Sequence, residues 1–262
     1  MAYNTKIDWC DTTWNPVTGC YHDCEYCYAR GIAKRFGGYN IDPVGESIVI
    51  RTYNGVQIAE LENQVSKVDK NYVVRVAPYP YEFMPTFHRY RLDEPARWTQ
   101  PRNIFVCSMA DLFGEWVPHE WIYEVFKVCK ATPWHRYLFL TKNPKRYSDL
   151  FLRSEPENVW LGASYTGAWE YERTSVVKKR FLSIEPLLMR IPPLTANTIA
   201  LWNDWVIIGA ETGKRTDKVK PEKEWIDTIV RSCEAVGTPV FMKESLREIM
   251  GDDFKQEFPW EV

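Results

Sequence analysis

The sequence has no apolar run approaching the ~20 residues that a membrane helix needs. Its opening, MAYNTKIDWC, carries no basic stretch ahead of an apolar one. Neither a membrane span nor a signal peptide is expected, and the protein reads as cytoplasmic. It also lacks an excess of charge: 33 Lys and Arg stand against 35 Asp and Glu, a net charge of -2. Without a global basic field, nucleic acid would have to be held by a local patch. No Gly/Ser-rich linker and no repeat of fixed period divide the 262 residues. A single domain over 1–262 is expected, with 246–262 as a tail. Only four histidines are present, and they are scattered. No Ser/His/Asp set for nucleophilic hydrolysis stands out. There are seven cysteines, an odd number, and only one CxxC pair. In a reducing compartment that argues against a disulfide framework and for metal or thiol chemistry.

Hydrophobic residues make up 45% and charged residues 26%, the balance of a globular protein with a large core. From about residue 102 a rhythm sets in. Short continuous apolar runs, NIFVCS, RYLFLTK, NVWLGAS, RFLSIEP, WVIIGAE and PVFMKES, lie roughly 20–35 residues apart. Runs of this kind suit parallel strands buried on both faces, and the spacing leaves room for helical crossovers. HEWIYEVFKVCKA places Trp121, Ile122, Val125, Phe126 and Cys129 on one helical face. PEKEWIDTIVRSCEAVG has Pro221 at its start and Gly237 at its end, the punctuation of a helix. A proline-interrupted segment runs to Asn203. The series predicts an α/β fold, a parallel sheet closed or partly closed as a barrel. Residues 38–100 break the rhythm and read as an insertion after the first βα unit, a cap or a substrate-gating lid. SIVIRTYNGVQIAELEN within it predicts a hairpin around Asn54-Gly55.

In βα barrels chemistry collects where strands end. Here the runs end in Ser108 and Asp111, Thr141 and Lys142, Ser164, Ser183 and Glu185, Glu211, then Lys243 and Glu244. Both signs of charge fit a zwitterionic ligand, carboxylates taking an ammonium or ribose hydroxyls and lysines taking a carboxylate or phosphate. The loop TGKRTDKVKPEK adds Lys214 and Arg215 to the same rim. It is a solvated loop or a contact for substrate phosphate.

Cys20, Cys24 and Cys27 lie within eight residues, in VTGCYHDCEYCYAR. A structural zinc site commonly has four ligands from two separated pairs. His22 is only two residues from Cys20 and competes for the same turn. An electron-transfer [4Fe–4S] cluster takes four thiolates. Cys107, Cys129 and Cys233 stand alone in apolar runs as core residues. A [4Fe–4S] cluster with three thiolates and one open iron remains. Trp14 and Asn15 lie just ahead of this loop.

Cx3CxxC with Tyr26 before the last cysteine resembles the radical S-adenosylmethionine superfamily. TWNPVTGC, CYA, SMADLF, FLSIEPLL and WVIIGAETG resemble a phage and bacterial branch of it, over residues ~8–30 and ~90–245. The resemblance implies a partial (β/α)6-type TIM barrel. Cys20, Cys24 and Cys27 would hold the [4Fe–4S] cluster, and S-adenosyl-L-methionine would chelate the fourth iron. One electron from a flavodoxin- or ferredoxin-type reductant would give a 5′-deoxyadenosyl radical that takes hydrogen from a substrate. By position, Tyr26 would lie against the adenine and Ser108 and Asp111 would meet the methionyl amine. Ser164, Glu185, Glu211 and Lys142 would meet the ribose, the carboxylate and the base. Trp14, Asn15, Lys243, Lys214 and Arg215 are the candidates for catalysis or substrate. Three readings stay open: an enzyme acting on a nucleotide, modified base or nucleic acid; one acting on a peptide or small metabolite; and a cluster- or zinc-binding protein without turnover.

Overall fold

The structure, a computed structural model, describes residues 5–38, 48–69, 71–150, 155–167, 177–213 and 216–261. Lys214 and Arg215 lie outside the described residues. The chain opens with β1 (Thr12–Trp14), β2 (Val17–Thr18) and α1 (Tyr28–Phe36). Then come β3 (Ile48–Tyr53), β4 (Val56–Leu61), β5 (Ser66–Val68), β6 (Val74–Val76), β7 (Thr86–His88) and β8 (Asn103–Val106). Beyond β8, helices alternate with strands: α2 (His119–Ala131), β9 (Arg136–Thr141), α3 (Arg146–Leu150) and β10 (Val159–Tyr165). After them come β11 (Arg180–Ile184), α4 (Pro193–Trp202), β12 (Val206–Ile208), α5 (Lys223–Glu234), β13 (Val240–Met242) and α6 (Arg247–Met250).

Seven strands form one parallel sheet in the order β1-β8-β9-β10-β11-β12-β13. Each strand joins the edge left by the one before it. A doubly wound sheet would show a reversal of strand order, and none occurs. The order is that of a singly wound partial barrel, so the expected fold class holds. The chain packs as two compact units. One is built mainly on Thr12–Tyr137; the other on Leu138–Glu155 and Val159–Val262, with Thr5–Asp11 added to it.

In the first unit, β2, β7, β4 and β3 form a second sheet in that order. β3 and β4 pair antiparallel from Ile48↔Leu61 to Tyr53↔Val56, leaving a two-residue loop. That loop is Asn54 (φ 48) and Gly55 (φ 80), both left-handed, as a type I′ hairpin turn requires. The expected hairpin is present. The stretch expected as an insertion also shares a sheet with β2, the strand that leads to Cys20. α2 buries Trp121, Ile122, Val125, Phe126 and Cys129, the face its periodicity gives.

In the second unit, α4 and α5 cover one face of β10–β13. Leu182, Ile184, Val206, Ile208, Val240 and Met242 pack there against Ile199, Ile226, Ile229 and Cys233. The proline-interrupted segment is thus helical. Pro192 caps α4 and Pro193 opens it, where a missing N–H costs nothing because the first turn has no partner for it. Strand alternation turns the next residues the other way. Register aligns Ser164 with Ser183, Ser183 with Ile207 and Ile207 with Phe241, a row across the sheet face opposite the helices. Toward the strand starts that face is closed by aromatic rings. Trp205 lies 6.3 Å from Trp9, 5.7 Å from Phe181 and 6.0 Å from Phe241.

Ile208 is wholly buried between β11 and β13. Ile208→Ala should lower unfolding free energy by about 2–5 kcal/mol, the usual cost of truncating a core isoleucine. Urea denaturation followed by tryptophan fluorescence measures it. A loss under 1 kcal/mol would show that the helices do not pack on this face.

Candidate functional site

In the first unit the cysteine loop hangs from the ends of β1 and β8. Asn15, just past β1, accepts hydrogen bonds at Oδ1 from Ser108 Oγ (3.2 Å) and Met109 N (2.9 Å). Gly19 N donates to Met109 O (2.9 Å) and Cys20 N to Phe83 O (3.1 Å). Gly19 is left-handed, φ +86, and a Cβ there would lie 2.2 Å from Met84 O, so only glycine fits. After Cys27 the chain enters α1, whose Ala29 and Ala33 pack on Met109, with Cys27 against the same cluster. Cys27 is the N-cap of α1, where the helix dipole favours a negative group. Tyr28 reaches back to donate from its hydroxyl to Ser108 O (2.8 Å).

Cys20, Cys24 and Cys27 are in no disulfide among the described residues and are half-buried. Among the described residues, no three His, Cys, Asp or Glu side chains are grouped so as to hold one metal ion. A four-iron cube offers separate corners to its thiolates, so three cysteines serving it need not converge on one point. Three soft donors on one short loop fit such a cube better than a single zinc ion. Nearby, the indole N–H of Trp116 is buried without a partner.

The other expected residues of this unit fall in different places. Tyr26 and Ser108 are half-buried on the loop and the β8 end. Asp111 is 5% exposed; its Oδ2 takes His22 Nε2 at 2.7 Å and its Oδ1 takes Phe113 N at 3.0 Å. It braces the cysteine loop. Trp14 is fully buried, with its indole N–H on Arg91 O (2.8 Å) and its ring against Tyr137, and so presents no surface to a ligand. Sequence reasoning set aside His22 as a competing ligand and did not see its pairing with Asp111, 89 residues away. It also missed Arg91, which donates to Asn15 O (2.9 Å) and Pro78 O (3.0 Å) and so fixes the segment carrying Asn15.

In the second unit, Glu185 follows β11 and Lys243 follows β13. Their side chains form an ion pair, 25% and 17% exposed. Gly209 lies beneath them: a Cβ there would stand 3.0 Å from Lys243 Cδ and 3.2 Å from Glu185 Cγ. Below the pair, Ser183 is 1% exposed and its hydroxyl has no partner among the described residues. Ser164, half-buried, is its register neighbour. Glu211 is buried just past β12, and Lys142 is half-buried just past β9. Ser164, Ser183 and Gly209 put small residues on this face above the aromatic floor, with the Glu185 and Lys243 side chains lying over Gly209.

This is an α/β protein of the partial-barrel class, with a three-cysteine loop at the end of its first strand. The chain belongs to the family described as "Protein of unknown function (DUF5131)", which matches residues 4–248. No curated protein matches it. Among solved structures it is similar to a spore photoproduct lyase mutant with bound AdoMet and dinucleoside spore photoproduct. The TM-score is 0.54 at 11% identity, over 92% of this chain and 78% of that one. A second spore photoproduct lyase mutant matches at TM-score 0.51 and 12% identity, over 92% and 80%. The likeness is one of fold.

Two measurements follow. Burial pushes the thiols of Cys107 and Cys233 up to about 12 and raises Cys129 well above the ordinary range. At pH 8 they carry almost no thiolate, the reactive form. In the folded, metal-free chain an alkylating reagent should mark Cys20, Cys24 and Cys27, together with the equally half-buried Cys10, before the three buried thiols, as read by peptide mass mapping; early marking of Cys107 or Cys233 would contradict the buried assignment. Secondly, His88 is wholly buried between Thr18 Oγ1 (2.8 Å) and Tyr90 Oη (3.1 Å). Burial, helped by the charge of Arg91, holds it well below its usual range. The unfolded chain then binds a proton near pH 6.5 that the folded chain does not. The contribution is present above that pH and is lost as pH falls, by up to about 1.4 kcal/mol per unit. His88→Asn should flatten the fall in Tm between pH 7 and 5.5.

Proposed function

We propose that the chain is a radical S-adenosylmethionine enzyme acting on a nucleotide, a modified base or nucleic acid. The observation that carries this is the three-cysteine loop, stitched to the ends of two parallel strands in a singly wound sheet. The fold shared with a lyase that binds AdoMet supports it. Cys20, Cys24 and Cys27 would hold a [4Fe–4S] cluster, which supplies one electron to cleave the sulfonium of a cosubstrate on its open iron. Tyr26, Ser108, Ser164, Glu211 and Lys142 are the residues for that cosubstrate. Asp111 is committed to His22 and serves the loop instead.

Glu185 and Lys243 are the substrate-recognition pair in this reading. A carboxylate beside an ammonium, half-buried and neutral as a pair, offers an acceptor next to a donor. That matches the adjacent N–H and C=O groups on the edge of a nucleobase. The dinucleoside bound by the similar lyase favours the same class. Lys214 and Arg215 would add phosphate contacts, and Asn15 orders the loop beside the cluster.

Purification without oxygen, reduction with dithionite and addition of S-adenosylmethionine should release 5′-deoxyadenosine, more of it when the proper nucleotide or DNA is present. Cys24→Ala should lose the brown absorbance and the cleavage together. A fully loaded cluster that yields no 5′-deoxyadenosine with any nucleic acid or nucleotide tried would count against this reading. Stimulation by a peptide alone would move the substrate to the other class. Lys243→Met should reduce the stimulation by substrate at least tenfold and leave the unstimulated cleavage near its original rate.

A further inference from the structure

Two residues between the first and second cysteines, Tyr21 and His22, are held by contacts that ligating a metal does not require. His22 Nε2 donates to Asp111 Oδ2 at 2.7 Å. Its ring meets the Trp116 indole edge-on, with centroids 4.8 Å apart and planes at 77°. Tyr21 meets the same indole edge-on at 5.7 Å. The Tyr21 hydroxyl then donates to Gln57 O at 2.8 Å, on β4 of the hairpin. From the hairpin turn, Asn54 Nδ2 donates to Glu115 O at 2.8 Å, next to Trp116. The cysteine loop, the 111–117 turn and the β3–β4 hairpin are therefore tied in a closed ring of contacts.

The turn is shaped for this. Gly114 N donates to Asp111 O, and Phe113 N fixes Asp111 Oδ1, so the carboxylate is oriented without His22. The indole of Trp116 lies so close over Gly114 that a Cβ would stand 2.3 Å from Cζ2. An exposed ion pair contributes little because both partners must be ordered to form it. Here one partner is already fixed and only 8% exposed, and an aromatic face limits the other.

We propose that Asp111, His22 and Trp116 are positioning residues that hold the Cys20–Cys27 loop in its cluster-binding shape, with the β3–β4 hairpin as the outer support. This rests on the reading of Cys20, Cys24 and Cys27 as cluster ligands. Its consequence is retention of iron. Partners one step removed from the ligands commonly change metal affinity 10–100-fold. A loop with three protein ligands has one tether fewer than a four-cysteine site, so its preorganisation weighs more.

The test compares His22→Ala, His22→Gln, Gly114→Ala and Tyr21→Phe with the unaltered chain. Each is reconstituted with iron and sulfide without oxygen, then challenged with an iron chelator while the cluster absorbance is followed. His22→Ala and Gly114→Ala should lose the cluster about 10–100-fold faster. His22→Gln keeps an N–H within reach of Asp111 and should stay within a few-fold of the original rate. Tyr21→Phe removes one hydroxyl that is not in the core and should accelerate loss by a few-fold. The electron paramagnetic resonance signal of the reduced cluster should broaden in His22→Ala and not in His22→Gln. Chelation at the original rate in His22→Ala and Tyr21→Phe would overturn the proposal, as would equal loss in His22→Ala and His22→Gln. An unaltered chain that takes up no iron would instead overturn the cluster reading itself. Should an alanine variant fail to fold, Tyr21→Phe and His22→Gln decide alone: Tyr21→Phe faster than His22→Gln supports the brace, and both at the original rate overturns it.

Discussion

The Asn15 carboxamide sets where the first unit can present anything. Its oxygen takes both Ser108 Oγ and Met109 N, joining the chain that leaves β1 to the chain that leaves β8. The carboxamide is half-buried, and two donors on one oxygen, each contributing modestly, hold this crossing point together. Gly19 then docks on Met109 O and Cys20 on Phe83 O, which gives the cysteine loop a fixed origin. On the other chain Cys107 is left-handed, φ 58, a conformation that non-glycine residues rarely adopt. That turn brings Ser108 and Met109 round to meet Asn15. The residue expected to touch substrate is the one that makes the loop possible.

The second unit is organised by a different constraint, the two faces of its strands. Helices demand large apolar residues on one face, and α4 and α5 receive them at Leu182, Ile184, Val206 and Ile208. The opposite face is free to carry Ser164, Ser183 and Gly209, with an aromatic floor beneath. Glu185 and Lys243 stand past the ends of strands two places apart in the sheet, and the glycine between them, where a Cβ would crowd both side chains, leaves room for them to meet. Pairing makes partial burial of the two charges tolerable, since each would otherwise lose hydration without compensation.

What the sequence made legible follows the range of the forces involved. Continuous apolar runs gave the parallel strands, since burial on both faces is written locally. Asn54-Gly55 gave the hairpin, since two left-handed residues are a local demand. α4 was hidden because its prolines look like breakers, and only the helix start shows that they sit where no N–H is needed. Trp14 is next to the cysteines along the chain, yet strand alternation turns it into the core beside Tyr137. Lys214 and Arg215 fall outside the described residues. Glu185 and Lys243 could each be named as strand ends, but their pairing depends on register. His22 with Asp111 depends on two loops meeting across 89 residues, and no local pattern encodes that.

Three cysteines impose a mechanical problem that four would not. A four-ligand site closes on its metal, and the metal–ligand bonds themselves hold the loop. In the cluster reading proposed above, one corner is left for a small molecule, the loop is tethered on one side only, and its shape has to come from the protein. The stretch 48–61 then has a reason to exist as a well-formed hairpin. Its β4 edge meets β7, β7 meets β2, and β2 runs into Cys20, so the hairpin reaches the loop through the sheet. It reaches the loop a second time through Tyr21 and through Trp116. Two routes to one loop restrain both its position and its rotation, which a single contact could not do. A lid would need the reverse, a segment joined to its surroundings by few and breakable contacts. The hairpin is therefore better understood as scaffold than as gate.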